Sequence, residues 1–318
     1  MEYRVLKYFL TVAAERNITR AAELLHISQP ALSRQIMQLE DELGARLFVR
    51  GKRNIVLTDA GMLLRRRAQD IVELTEKAES ELRTGESLSG VVSIGSGESE
   101  TMRFIARCMR SFSEKYPSVT FDIYSNNADF IKERLEKGLV DIGVLLAPSD
   151  ISDYDYIRLP HKERWGALLC AQSPLSRKEY VTAADLADSN IFMPRRGVVQ
   201  GVAEWFGEYY GKLKIFATHN LLYNAAMLVD CGIGTALTIE GAAALYKNEN
   251  IVFRPFFPEL CVHSAVVWKK FQPTSPAAAA FIAHLKNELA AATDLTVAPY
   301  SGESIKASGE SAACERTK

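Results

Sequence analysis

The 318-residue chain has almost no net charge, −1 at neutral pH, so its bulk electrostatics point to no particular partner. It is also poor in paired cysteines. Cys108, Cys170, Cys231, Cys261 and Cys314 lie far apart with no CxxC, which argues against a zinc knuckle or a disulfide framework. A redox sensor would need the fold to bring two of them together, and that alternative stays open. The five histidines are equally scattered, without the short spacing of a metal site. No apolar run approaches the roughly 18 residues of a membrane span. The opening MEYRVLKYFLTVAAERN mixes charge into its apolar positions and lacks the core and cleavage site of a secretory signal. A cytoplasmic protein is the expectation, with no membrane partner. GxSxG, a P-loop and any motif pairing of carboxylates are missing as well, so no catalytic residue, metal or cofactor is expected.

With 47% hydrophobic and 24% charged residues, the composition is that of a globular protein long enough for two or three domains. The charge is unevenly placed. Residues 1–58 carry nine Lys or Arg against six Asp or Glu, and Arg65, Arg66 and Arg67 follow.

Leu6, Phe9, Leu10 and Ala13 recur at helical spacing and predict a first helix over 3–15. Asn17 or Thr19 can cap a second, ITRAAELLH, at a typical worth of about 1 kcal/mol. Ser28 is placed to cap a third with Pro30 in its first turn, where the missing N–H costs nothing. Leu32, Ile36, Leu39 and Leu43 bury one face of this helix, so Gln29, Ser33 and Arg34 must look outward. Gly44 ends it, and 47–57 reads as a tight basic hairpin, a wing. Thr58 can cap a helix from Asp59 to Glu86 in which Leu64, Ala68, Ile71, Thr75, Ala78 and Leu82 form a weak heptad seam. The alternative is a single amphipathic helix lying on its own domain. From Gly90, short β-branched runs alternate with helical ones, an α/β pattern. Strands are expected at 91–94, 120–124, 141–146, 166–170, 191–193, 214–217, 234–238 and 262–268. Residues 292–318 turn to Ser, Gly, Ala and Thr and are expected to be disordered.

The stretch FLTVAAERNITRAAELLHISQPALSRQIMQLEDELGARLFVRGKRNIVLTDAG closely resembles the DNA-binding region of LysR-type regulators. The paired alanines, SQPALSRQI, LE-x-x-LG-x-x-LF-x-R and LT-x-AG carry that resemblance. LEKGLVDIGV and LVDCGIGTAL resemble, more loosely, the family's effector region. The resemblance implies a winged helix-turn-helix over 1–58, a linker and dimerisation helix over 59–88, and an α/β effector domain over 89–291, similar to a periplasmic binding protein. Its two subdomains would be about 90–162 with 268–291, and about 163–267. Gln29, Pro30, Ser33 and Arg34 are then the base-reading positions. Gln suits an adenine edge, Arg guanine and Pro30 a thymine methyl, with each good bidentate pair worth about 1–3 kcal/mol of discrimination. Arg50, Lys52 and Arg53 on the wing would touch phosphate or the minor groove. Double-stranded promoter DNA, a second copy of the chain, a further pairing of dimers, RNA polymerase and a small-molecule co-inducer are the implied partners. An α/β enzyme or a purely architectural DNA protein are the competing classes.

Three loops supply candidate effector contacts, because ligands in such folds sit at strand ends and helix N-termini. They are Ser96, Ser99, Glu100 and Thr101 after the first strand, Asn127 at the start of a helix, and Arg195, Arg196 and Gln200 in the second subdomain. If they face one another, Glu98 or Glu100 lies opposite Arg195 or Arg196, an arrangement suited to a zwitterion such as an amino acid. Ile239 stands where the family has proline, and SPL at Ser173 where it has HPL.

Overall fold

The computed structural model describes residues 1–50, 55–81, 87–146, 151–195, 199–246 and 248–292. The chain divides into two compact units, Met1–Thr84 and Gly85–Lys318. Of the stretch 292–318 expected to be disordered, Ala292 is the last residue of a helix and 293–318 lie outside the described residues.

The first unit runs α1 (Tyr3–Glu15), α2 (Ile18–Leu24), α3 (Gln29–Leu43), β1 (Phe48–Arg50), β2 (Ile55–Leu57) and α4 (Asp59–Glu81). Local chemistry sets these boundaries. Asn17 Oδ1 accepts the Arg20 N–H at 3.1 Å, Ser28 Oγ accepts that of Ala31 at 3.4 Å, and Gly44 ends α3 at φ +63°. Phe9, Val12, Leu32, Leu39, Leu47 and Ala68 form its core, and Ala21 and Ala22 let the helices approach closely. The hairpin is antiparallel, and Ile55 N–H donates to the carbonyl of Arg16 at 3.1 Å, tying β2 to the end of α1. The heptad seam divides along α4, and its Leu82 lies outside the described residues. Ala68 is buried in the unit's own core and Leu64 packs against it, while Met62, Leu63, Ile71 and Leu74 stand exposed. The first half of the seam therefore anchors α4 to its own domain.

The second unit runs β3 (Gly90–Ser96), α5 (Thr101–Lys115), β4 (Val119–Ser125), α6 (Ala128–Glu136), β5 (Ile142–Leu146), β6 (Tyr154–Cys170), α7 (Ala183–Leu186), β7 (Asn190–Pro194), α8 (Val199–Phe206), β8 (Lys214–His219), α9 (Leu222–Asp230), β9 (Thr235–Ile239), α10 (Glu240–Ala243), β10 (Ile251–Pro255), β11 (Cys261–Lys269) and α11 (Pro276–Ala292). The strand order is β4-β3-β5-β11-β6-β9-β7-β8, with β10 also on β6. Parallel β3, β4 and β5 build one lobe, and parallel β7, β8 and β9 build the other. The 17-residue β6 joins them, pairing with β11 along Tyr154–Arg164 and with β9 and β10 from Trp165 onward. Each lobe has its own core, around Phe112 and Phe281 in the first and around Phe192, Phe206 and Phe256 in the second.

One glycine pair positions the cleft. Gly95 and Gly143 are register partners on β3 and β5. A Cβ on either would come within 2.8 Å of Ile131 or Leu135 of α6. Two bare positions thus let α6 lie directly on the sheet, with Asn127 at its start.

Candidate functional site

On α3, burial of Leu32, Ile36 and Leu39 turns the opposite face to water. Gln29, Pro30 and Arg34 are exposed there and Ser33 is half-buried. Gln29 Nε2 donates to Ser33 Oγ at 2.8 Å, so two polar side chains are paired at the helix start, where free N–H groups favour phosphate. Arg50 closes β1 opposite Ile55. Lys52 and Arg53 lie outside the described residues. Glu40, at 7% exposure, accepts from Arg46 at 2.7 Å and from the N–H groups of Leu47 and Phe48 at 2.7 and 3.2 Å, fixing the wing's first strand to the back of this helix.

In the second unit the loop after β3, the start of α6, the ends of β5, β7 and β8, and β9 converge on a cavity of about 120 Å³. It lies at the carboxyl ends of parallel strands, where α/β folds bind ligands. Ser99, Asn127 and Arg195 line it, together with apolar Ile131, Val144, Leu146, Leu237 and Ile239. Asn127 also caps α6, accepting the Phe130 N–H at 3.3 Å. The remaining candidates are placed differently. Ser96 Oγ donates to the Gly97 carbonyl at 2.8 Å, Thr101 Oγ1 to Ser264 Oγ at 2.6 Å, and Glu100 pairs with Arg103 at 2.5 Å, so none of the three is among the described lining residues. Arg196 lies outside the described residues, and Gln200 sits in the first turn of α8.

Of the expected opposition of Glu98 or Glu100 to Arg195 or Arg196, Glu98 and Arg195 both line the cavity, each with hydrogen-bond partners other than one another, Glu100 is not among the described lining residues, and Arg196 lies outside the described residues. Glu98 crosses to the other lobe, where its oxygens accept from Leu222 N–H at 2.5 Å and from the Tyr246 hydroxyl at 2.9 Å. Burial first, then this hydrogen bond, pushes the Tyr246 pKa up. Arg195 reaches Thr218 instead, at 3.5 Å. A second carboxylate bridges the lobes. Glu163, 1% exposed on β6, accepts from Glu100 N–H at 2.7 Å and Gly241 N–H at 3.0 Å. A Cβ on Gly241 would fall 2.5 Å from both Glu163 Oε2 and the Glu100 nitrogen, so the contact requires glycine.

Trp165 and His219, which the sequence reading omits, also line the cavity. Trp165 Nε1 is buried with no hydrogen-bond partner among the described residues, and the buried His219 ring lies against the backbone of Leu237, Leu221 and Phe192. Burial lowers the His219 pKa. The four described cysteines are free thiols. Cys108 is buried, which with nearby Glu288 raises its pKa to about 11, the opposite of a reactive thiolate. No described helix is long and apolar enough to cross a membrane.

Residues 3–62 match the family described as "Bacterial regulatory helix-turn-helix protein, lysR family", and residues 85–290 match "LysR substrate binding domain". The Hca operon transcriptional activator HcaR of Escherichia coli (strain K12) is 31% identical over 299 residues, 92% of this chain and 100% of that protein. The crystal structure of CbnR, a LysR family transcriptional regulator, superposes with a TM-score of 0.71 at 23% identity, over 91% of this chain and 99% of CbnR. Full-length CbnR complexed with its target DNA gives 0.70 at 23% identity, over 90% and 99% of the two chains.

Proposed function

The chain belongs to the LysR family of bacterial transcriptional regulators, and on that premise we propose how its own residues divide DNA reading from ligand sensing. It is a DNA-binding regulator with an effector-binding domain. In our reading 1–58 binds DNA, 59–88 pairs two copies and 89–291 senses the effector. The observation that carries the DNA half is the exposed face of the first two turns of α3, with Gln29, Pro30 and Arg34 facing water opposite a buried apolar stripe. Gln29 and Arg34 read adenine and guanine edges in the major groove, Ser33 holds Gln29 in place, and Pro30 meets a thymine methyl. Arg50, Lys52 and Arg53 neutralise phosphates and add a salt-dependent term.

Ile71 and Leu74, exposed on α4, supply apolar surface for a second copy. Dimers pair in turn, and the assembly meets RNA polymerase at the promoter. The effector enters the cleft, where Ser99, Asn127 and Arg195 contact it and Glu98 and Glu163 hold the lobes together around it.

Selection of DNA sites by the full-length protein, followed by fluorescence anisotropy, tests the recognition face. Arg34→Ala is expected to lose about 1–3 kcal/mol of discrimination at a guanine position while retaining salt-dependent non-specific binding. Unchanged base preference in that variant would remove α3 Arg34 from the reading.

A further inference from the structure

The cleft's natural anion position is filled by the protein itself. The nine-residue α9 starts at the cavity without a side-chain cap from Leu221. Helix starts of this kind carry free N–H groups and partial positive charge that attract carboxylates. Here the carboxylate is Glu98, delivered from the opposite lobe to Leu222 N–H and the Tyr246 hydroxyl. Arg195 is the only lysine or arginine among the described lining residues, and it is exposed. His219, whose pKa burial lowers, brings no compensating charge at neutral pH. Among the described lining residues, a ligand carboxylate near Glu98 would therefore meet no buried cation to offset it.

One residue lining the same cavity, Trp165, has an unmet hydrogen-bond donor. Trp165 is 3% exposed, and its indole N–H has no partner among the described residues. An indole nitrogen can only donate, and a buried one ordinarily finds an acceptor. The walls are aliphatic, and the volume of about 120 Å³ is a little below that of the roughly 150 Å³ cavity that holds benzene.

We propose that the cavity takes a compact, uncharged ligand, a ring or branched chain bearing a carbonyl or amide oxygen, with Glu98 as the resident anion that turns carboxylates away and Trp165 as the donor to the ligand oxygen. The inference rests on the reading of the cleft as the effector site.

Benzamide and benzoate make the test, since they share size and shape and differ in charge. Each is titrated into the full-length protein by calorimetry at pH 7.5. The indole ¹⁵N–¹H resonances are followed in parallel, that of Trp165 being identified by its loss in Trp165→Phe. Benzamide is expected to bind about tenfold or more tightly than benzoate, to move the Trp165 resonance, and to weaken by about tenfold in Trp165→Phe. Glu98→Gln keeps an acceptor for Leu222 but removes the charge, and should shift the benzoate-to-benzamide affinity ratio toward benzoate by about tenfold. Benzoate binding as tightly as benzamide to the wild type overturns the proposal, as does a Trp165 resonance that benzamide leaves unmoved. Benzoate alone moving that resonance overturns the charge preference and keeps the cleft as the ligand site. Silence of both probes overturns the ligand class, and the cleft reading falls with it only if a wider thermal-shift screen finds no compound whose effect Ser99→Ala alters.

Discussion

Glu40 accepts hydrogen bonds from Arg46 and from the N–H groups of Leu47 and Phe48, the residues that lead into the wing. Burial by itself would raise its pKa, but these donors outweigh burial and hold the carboxyl below its ordinary value. Folding therefore stabilises the ionised form. That contribution is complete above the ordinary carboxylate range and is lost as pH falls through the depressed folded value. Arg46 is 72% exposed, so water weakens its share and the two backbone donors carry most of the effect. Glu40→Ala is expected to cost about 2 kcal/mol of protection at the Leu47 and Phe48 amides at pH 7, read by hydrogen exchange. The gap from wild type should narrow as pH falls out of the ordinary carboxylate range and through the depressed folded value. At this scale the sequence is legible where function is local. Gln29, Pro30, Ser33 and Arg34 share one helical turn and its flank, and periodicity alone turns them outward. The cleft is another matter, because Glu98 meets Leu222 and Tyr246 across 124 and 148 residues. No spacing rule reaches that far. A glutamate within the 17-residue strand β6 and a glycine opening α10 do hint at a buried polar contact, but neither names its partner.

Among the elements, α4 shows how a packing contact can reverse a local preference. Gly61 lies in its first turn, where alanine would ordinarily favour the helix by about 1 kcal/mol. A Cβ there would stand 2.1 Å from the Leu47 carbonyl oxygen and 2.9 Å from Leu57 Cδ2. Thr58 closes the same corner, donating Oγ1 to the Arg46 carbonyl at 2.7 Å and accepting Gly61 N–H at 2.9 Å. Gly61→Ala should therefore destabilise the first unit despite the gain in helix propensity. A lower first melting transition and weaker DNA binding are expected, and an unchanged or higher transition would mean that the corner yields freely. This is the physical content of the glycine in LT-x-AG. Elements with strong local signals, α1 to α4 and the parallel strands, were readable from periodicity and capping. The first half of β6 was not, since LPHKER carries a proline and a run of charge. In the structure Leu159–His161 fall at an irregularity in the β6–β11 ladder, between the Arg158–Ala265 and Lys162–His263 pairs. A proline is tolerated at such a break because it supplies no ladder hydrogen bond.

On the scale of the whole molecule, a regulator needs its ligand and its DNA to influence each other, and thermodynamics fixes the form that influence takes. If effector binding changes affinity for the DNA site by some factor, the DNA must change affinity for the effector by the same factor. Two carboxylates, Glu98 and Glu163, bridge the lobes of the second unit through backbone N–H groups and one hydroxyl. Any ligand that enters the cavity therefore competes or cooperates with bonds that already hold the lobes closed. A ligand that fills the cavity without displacing Glu98 favours the closed arrangement, whereas one that takes its place at α9 releases a bridge. These two modes have opposite signatures. For a ligand of the first kind, Glu98→Gln should weaken the reciprocal coupling as well as the affinity, because the closed state it selects is less stable. For the second kind the variant should bind more tightly and couple less, since part of the opening has already occurred. The measurement is calorimetric titration of ligand into the full-length protein, free and saturated with its selected DNA fragment, for wild type and Glu98→Gln. A ratio of affinities in the range of about 5–150 is expected for wild type, matching the ratio of DNA affinities measured with and without ligand. A smaller ratio is expected in the variant. Equal ratios in the two proteins would show that the Glu98 bridge takes no part in carrying the signal, leaving Glu163 as the other carboxylate bridge among the described residues.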